Sequence, residues 1–216
     1  MSIGRALRKI NPAAAGGWTM PVGTLLWLRS NYTTGGGLWE DQSGSGNHAT
    51  LAGATLGAAS GLYTSSSGYA TVADTPSLSV SGTICAWIRP AGVSSNPLFV
   101  SGWNSVEYHL ATYGTLAASG YNNQQVGAPG TLVANVWQHV ALRWTGSLLY
   151  CLLDGSPGSS IAASALTVSQ TLFLGRQNAG ASNRFVGDID DLFIIPSDQG
   201  VAGIQDIRAN SPGTHA

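Results

Sequence analysis

The sequence predicts an all-β chain, an antiparallel sandwich or jelly roll closed by a short C-terminal helix, on three observations. Short apolar runs rich in β-branched and aromatic residues recur along it, Gly, Asn, Ser and Pro turns separate them, and helical periodicity is confined to two brief stretches. A chain of 216 residues can bury a large core as one domain, expected over residues 23–210 between an N-terminal arm (1–22) and a short tail (211–216).

The arm contains residues 3–10, whose spacing suits a basic amphipathic turn or two. Residues 25–29 read as the first strand. Residues 38–50, LWEDQSGSGNHAT, form a polar turn holding a carboxylate, small residues and an amide. Residues 53–68 are Ala, Gly and Ser with little to bury, so they are expected to be a loop or an edge excursion of weak register. Strands are then expected over 69–72, 83–89, 98–102 and 107–113. The runs 137–145 and 147–154 make an antiparallel hairpin about Thr145-Gly146-Ser147, and Asp154-Gly155 is a strong turn dipeptide after it. Residues 171–175 and 185–195 complete the strands, and GDIDDLFIIP (187–196) brings clustered aspartates into the last one. Residues 201–209, with Ile204, Ile207 and Arg208, supply the closing helix. Trp87, Trp137 and Trp144 are assigned to the core.

Composition narrows the function classes. Only 9% of residues are charged, against about 25% in typical soluble domains, and 29 glycines with many Ser, Thr and Ala residues take their place. The formal charge is −1 and the basic residues gather only at Arg5, Arg8 and Lys9, so there is no electrostatic footprint for nucleic acid. No apolar run approaches the roughly 18 residues of a membrane span. The first residues carry the charges of a signal peptide, but Asn11, Pro12 and two glycines stand where its apolar stretch should be, so classical secretion is not expected. Cys85 and Cys151 fall in strands and are read as two buried thiols.

The order of segments carries a resemblance. LWEDQSGSGNHATL, YATVADTPSLSVSGTICAWIRP, VWQHVALRWTGSLLYCLLDGS, LFLGRQNAGASNRFVGDIDDLFIIP and a short helix follow one another over residues 24–210. The most specific pieces are Asp41-Gln42-Ser43-Gly44 with Gly46-Asn47-His48, the Trp137-x-His139-Val140-Ala141 strand, Asp154-Gly155, and Gly187-x-Ile189-Asp190-Asp191. This pattern resembles the laminin G-like members of the concanavalin A-like lectin/glucanase superfamily. The resemblance implies two packed antiparallel sheets in a jelly roll, and the superfold hosts lectins, hydrolases, lyases, adhesion modules and viral parts.

Members of the superfamily often carry a structural calcium ion between an early turn and an aspartate of the last strand. By position the resemblance assigns that role to Asp41, Asn47 and Asp191, with Asp190 as the alternative, and carboxylate, amide and carbonyl oxygens suit so hard a cation. The competing reading makes Asp41 and Asn47 turn caps. Retaining glucanases of the superfamily place paired acids on one sheet face. Here the two glutamates, Glu40 and Glu107, are isolated, and Asp188 and Asp190 share a face on a strand the resemblance places at the structural end of the sandwich. His48, His109, His139 and His215 sit in no nucleophile motif, and His139 occupies a packing position of the family. No catalytic residue is assigned. A polysaccharide lyase built on His109 and Tyr113, which share a strand face, has thin support.

Binding is the more natural use of these residues. Sugar sites stack aromatic rings on apolar sugar faces and bond hydroxyls with amides and guanidinium groups. Two loop-rich regions offer that mixture: Trp103 and Asn104 with Tyr121, Asn122 and Asn123, and Arg176 and Asn178 with Arg184. The expected function is a non-enzymatic structural or glycan-binding module, in a virion accessory or decoration protein of a phage. Its arm would dock on other structural proteins, and it would be displayed on the virion surface after a cytoplasmic stage. The alternatives are a glycan-processing enzyme with an atypical groove and a ligand-free protein that self-associates.

Overall fold

Alternation along residues 83–89 sets the architecture: Ile84, Ala86 and Ile88 point to one side of their strand, and Cys85, Trp87 and Arg89 to the other. The computed structural model describes residues 18–34, 37–57, 61–65, 67–73, 78, 80–93, 95–102, 108–121, 124–164, 171–177, 183–211 and 215. Among these the first strands are β1 (Leu26–Thr34), β2 (Leu38–Asp41), β3 (Ala49–Ala52), β4 (Thr55–Gly57), β5 (Gly61–Thr64) and β6 (Tyr69–Val72). The middle of the chain forms β7 (Gly82–Pro90), β8 (Ser95–Gly102), β9 (Tyr108–Tyr113), β10 (Leu116–Tyr121) and β11 (Gln124–Gly127). The last elements are β12 (Gln138–Trp144), β13 (Leu148–Leu153), β14 (Ser156–Ala162), β15 (Leu172–Leu174), β16 (Gly187–Ile195) and helix α1 (Gly200–Asn210).

The strands pair antiparallel in the order β11-β10-β9-β8-β15-β6-β3-β2-β1-β16-β7-β12-β13-β14, with β5 on β16 and β4 on β5. The path folds over itself so that β9, β10 and β11 lie against β12, β13 and β14, giving two antiparallel sheets in a sandwich. Between them sit Leu26, Leu28, Trp39, Ile84, Ile88, Leu142, Trp144, Leu174, Phe185, Leu192 and Ile194, all fully or nearly fully buried. Burial of each large apolar side chain contributes roughly 1.5–3 kcal/mol. A second apolar cluster lies on the outer face of the β1-β16-β7-β12-β13 sheet. There Trp27, Cys85, Ala141, Leu152, Phe193 and Ile195 are covered by Ile204 and Ile207 of α1. Among the described residues no helix is long and apolar enough to cross a membrane.

Each expected strand is present within a few residues, as is the closing helix. The Asp154-Gly155 hairpin forms with φ of 51° and 80°, the left-handed pair that a two-residue β-hairpin requires. Pro157 sits on β14, the edge strand, where a missing N–H costs no internal pair. Cys85 and Cys151 are unpaired and buried on opposite faces of their sheet, one in each cluster; burial raises both thiols, that of Cys151 to about 12.

Several expectations need correction. The span 53–68 contains β4 and β5, and β5 has a fixed register on β16, with Thr64 opposite Gly187. The assignment of three tryptophans to the core holds for Trp144, whereas Trp87 and Trp137 are only half-buried. Trp87 alternates with the core-facing Ala86 and Ile88, and so lies on the outer face with Cys85. The packed unit also overruns 23–210 at both ends. Trp18 meets Trp27 and Phe193 edge-on at 6.2 and 6.1 Å, and His215 stacks on Trp87. Large aromatic surface draws these flanking residues onto the outer face. The helical reading of residues 3–10 lies outside the described residues.

Candidate functional site

The last strand carries an irregularity that organises the outer face. Asp190 pairs with Trp87 and Phe193 with Cys85, so β16 spends three steps where β7 spends two. Before the bulge the odd position Ile189 faces the inner core; after it the even positions Leu192 and Ile194 do. Asp190 and Asp191, on either side of this switch, therefore both point outward, and Asp191 takes a left-handed φ of 41°. Both are fully buried. Asp190 Oδ1 accepts the amides of Ser30 (2.6 Å) and Asp191 (2.8 Å), and Asp191 Oδ1 accepts the Trp27 indole N–H at 3.2 Å.

His215 closes over this pair. Its Nε2 stands 3.4 Å from Asp190 Oδ2 and 3.9 Å from Asp191 Oδ2. Its ring stacks on Trp87 at 4.5 Å with 7° between planes and meets Trp137 edge-on at 4.9 Å. Trp87 also receives the edge of His139 at 5.4 Å and donates its indole N–H to Ser211 Oγ at 2.8 Å. His139 is buried as expected of a packing residue, and burial, aided by Arg208 and His215, pushes its pKa down to about 3. Next along the face, Asp188 accepts from Arg89 at 3.0 Å; burial raises the Asp188 carboxyl and Arg89 opposes that rise.

The structure divides the residues expected to hold calcium. Asp41 is turned into its own loop. Its Oδ1 accepts the amides of Trp27 and Ser43, both at 2.9 Å, and its Oδ2 accepts the Ser43 hydroxyl at 2.8 Å and the Asn47 amide at 3.0 Å. Asn47 donates its side chain to Leu25 O at 2.7 Å. Asp190 and Asp191 instead converge with His215, their ligand atoms all within 4.8 Å of one another. The first turn and last strand are linked through Trp27, whose amide reaches Asp41 and whose indole reaches Asp191.

The residues expected to bind glycan also separate. Trp103, Asn104, Asn122, Asn123 and Asn178 lie outside the described residues, as does the side chain of Tyr121. The strand ends that flank the first group are gathered together, with Tyr121 opposite both Tyr108 and Gln124, and Ser101 opposite His109. Because β15 runs antiparallel to β8, the chain after Leu174 leaves the sheet toward the other end, so Arg176 and Arg184 belong to a different region. Arg176 is buried, with its guanidinium 3.4 Å from the centre of the Tyr69 ring and 5.4 Å from that of Phe173. His215 escaped the sequence reading, since nothing around it signals a site.

A two-sheet antiparallel sandwich, the outer face of one sheet covered by a short helix, places the chain in the class of jelly-roll β-sandwich domains. Within that class the chain belongs to the laminin G-like family of the concanavalin A-like lectin/glucanases superfamily, whose profile matches residues 64–197. Solved structures share the fold at low identity. The receptor-binding domain of a botulinum neurotoxin C/D mosaic serotype superposes with a TM-score of 0.69 at 12% identity, over 87% of this chain and 51% of that one. Botulinum neurotoxin type C, in a study of its dependence on two ganglioside molecules for cell entry, gives 0.63 at 16% identity over 86% and 50%. The binding domain of Paraclostridial Mosquitocidal Protein 1 gives 0.66 at 10% identity over 86% and 51%. The chain thus spans about half the length of these structures. No curated protein sequence matches it significantly.

Proposed function

We propose that this chain is a non-catalytic binding module for cell-surface or polymeric glycan, carried as an accessory or decoration protein of a phage virion. One observation carries the non-catalytic reading: every described aspartate has a structural partner. Asp41 holds its turn, Asp154 accepts the His139 amide, and Asp188 and Asp198 pair with Arg89 and Arg143. Asp190 and Asp191 hold β1, and Asp206 accepts the Trp18 indole. The glycan reading is supported by neighbours of the same fold, described as receptor-binding domains or as studied with gangliosides or with SialylT. It places recognition at the sheet end flanked by Gly102, Tyr108, Tyr121 and Gln124, where aromatic and amide residues cluster in sequence. The virion context rests on the low charge and on the basic arm. A structural calcium ion remains part of the proposal, with Asp41 and Asn47 on one side of Trp27 and the Asp190/Asp191 pair on the other.

The test is a glycan array probed with the labelled full chain and with Trp103→Ala and Tyr121→Ala. Binding to a defined subset, lost in both variants at unchanged melting temperature, is expected. Binding to no glycan overturns the glycan reading, and release of reducing ends or unsaturated products from a bound polysaccharide overturns the non-catalytic one.

A further inference from the structure

We propose that Asp190, Asp191 and His215 form a binding site for a first-row divalent transition metal ion of the zinc type, beside the Trp87 indole. The spacing is the first argument. At 3.4 and 3.9 Å from the two carboxylate oxygens, His215 Nε2 is too far for a good N–H···O bond, which spans about 2.7–3.2 Å. In a tetrahedral site with metal–ligand bonds of about 2.0–2.1 Å, neighbouring ligand atoms stand about 3.3 Å apart. His215 Nε2 and Asp190 Oδ2 match that spacing, and the three ligand atoms lie within 4.8 Å of one another.

The second argument is unmet bonding capacity. Among the described residues, Asp190 Oδ2 and His215 Nε2 have no hydrogen-bond partner and only the long 3.4 Å contact with each other, although their side chains are only 1% and 4% exposed. A buried polar atom left in this state is costly, and a ligand relieves the cost. The two atoms stand 3.4 Å apart.

The surroundings hold the ligands in place. Ser30 and Asp191 amides occupy Asp190 Oδ1, and the Trp27 indole occupies Asp191 Oδ1, so each carboxylate is anchored by one oxygen while its Oδ2 lies toward His215. Trp87 and Trp137 fix the plane of the imidazole. Such outer contacts are what orient metal ligands. The donor set also selects the ion. Calcium and magnesium take oxygen shells, whereas an imidazole nitrogen with two carboxylates suits zinc, manganese or iron(II) and leaves a position for water or an external ligand. This site shares Asp190 and Asp191 with the calcium ion expected between Asp41 and the last strand, but it replaces Asp41 and Asn47 by His215 and takes a different class of metal.

The test uses the full chain freed of metal with a chelator and titrated calorimetrically with Zn²⁺, alongside thermal unfolding in Zn²⁺, Mn²⁺ and Ca²⁺ and the visible spectrum with Co²⁺. A transition-metal-dependent rise in melting temperature, with tetrahedral Co²⁺ absorption, is expected for the parent chain. His215→Ala and Asp190→Asn should each weaken Zn²⁺ binding at least tenfold while keeping the circular dichroism of the chelated parent. If Asp190→Asn fails to fold, His215→Ala decides alone, since among the described residues His215 Nε2 makes no hydrogen bond. No rise with any transition metal, unchanged Zn²⁺ affinity in His215→Ala, or a rise with Ca²⁺ only would each overturn the site.

Discussion

Lowering the pH should weaken this fold through His109. Its ring is packed against Gly120 on the neighbouring strand, where even an added Cβ would collide with the imidazole, and among the described residues its Nε2 has no hydrogen-bond partner. Burial pushes its pKa from 6.5 down to about 4. The folded state thus prefers the neutral ring, and the unfolded state takes up the proton first. Stability is full above pH 6.5, falls as pH drops from 6.5 toward 4, and levels off once the folded ring also protonates. With these two values the loss between pH 7.5 and 5.0 comes to about 2 kcal/mol, and to about 3 kcal/mol in total. Urea unfolding of the parent and of His109→Leu at both pH values measures it. His139, pushed down to about 3, acts in the same direction in both proteins and cancels in the difference. Leucine keeps an apolar filler and does not titrate, so the variant should lose about 2 kcal/mol less than the parent over that interval. Equal losses in the two proteins would refute the argument.

Two further outcomes follow from the packing. Asp41→Ala should cost about 2–3 kcal/mol in urea unfolding, because the buried Trp27 amide and three donors of the turn lose their acceptor together. A loss under 0.5 kcal/mol would show that the turn closes without the carboxylate. Deleting residues 1–17 leaves Trp18 and Met20 on the outer face, so the melting temperature should hold while attachment to the proposed virion partner is lost; attachment that persists refutes a docking role for the arm.

The parts of the fold that were legible in the sequence are those whose side chains decide their own pairing. TICAWIR, QHVALRW and LLYCLL are rich in aliphatic, β-branched and aromatic residues buried on both faces of their sheet, and Asp154-Gly155 fixes their hairpin neighbour by local chemistry. β10, β11 and β14 read LAASGY, QQVG and SPGSSIA, which carry little β preference. They become strands because each pairs along a neighbour, β10 on β9, β11 on β10 and β14 on β13. The Asp41 turn was legible as an Asx cap. The acid pair was visible, but its facing was not: alternation alone puts Asp190 and Asp191 on opposite sides, and only the bulge against Trp87 and Cys85 brings them together. His215 had no local signal, since its role depends on α1 returning the chain across the sheet.

The contact between Trp18 and Asp206 ties the segment before β1 to the helix after β16. β1 begins beside the end of β16, with Leu26 opposite Ile194, so tension applied through the two flanking segments in opposite directions would peel these strands apart one bond at a time. The indole of Trp18, bonded to Asp206 at 3.0 Å and wedged against Trp27 and Phe193, is the rivet that must break before that zipper can open.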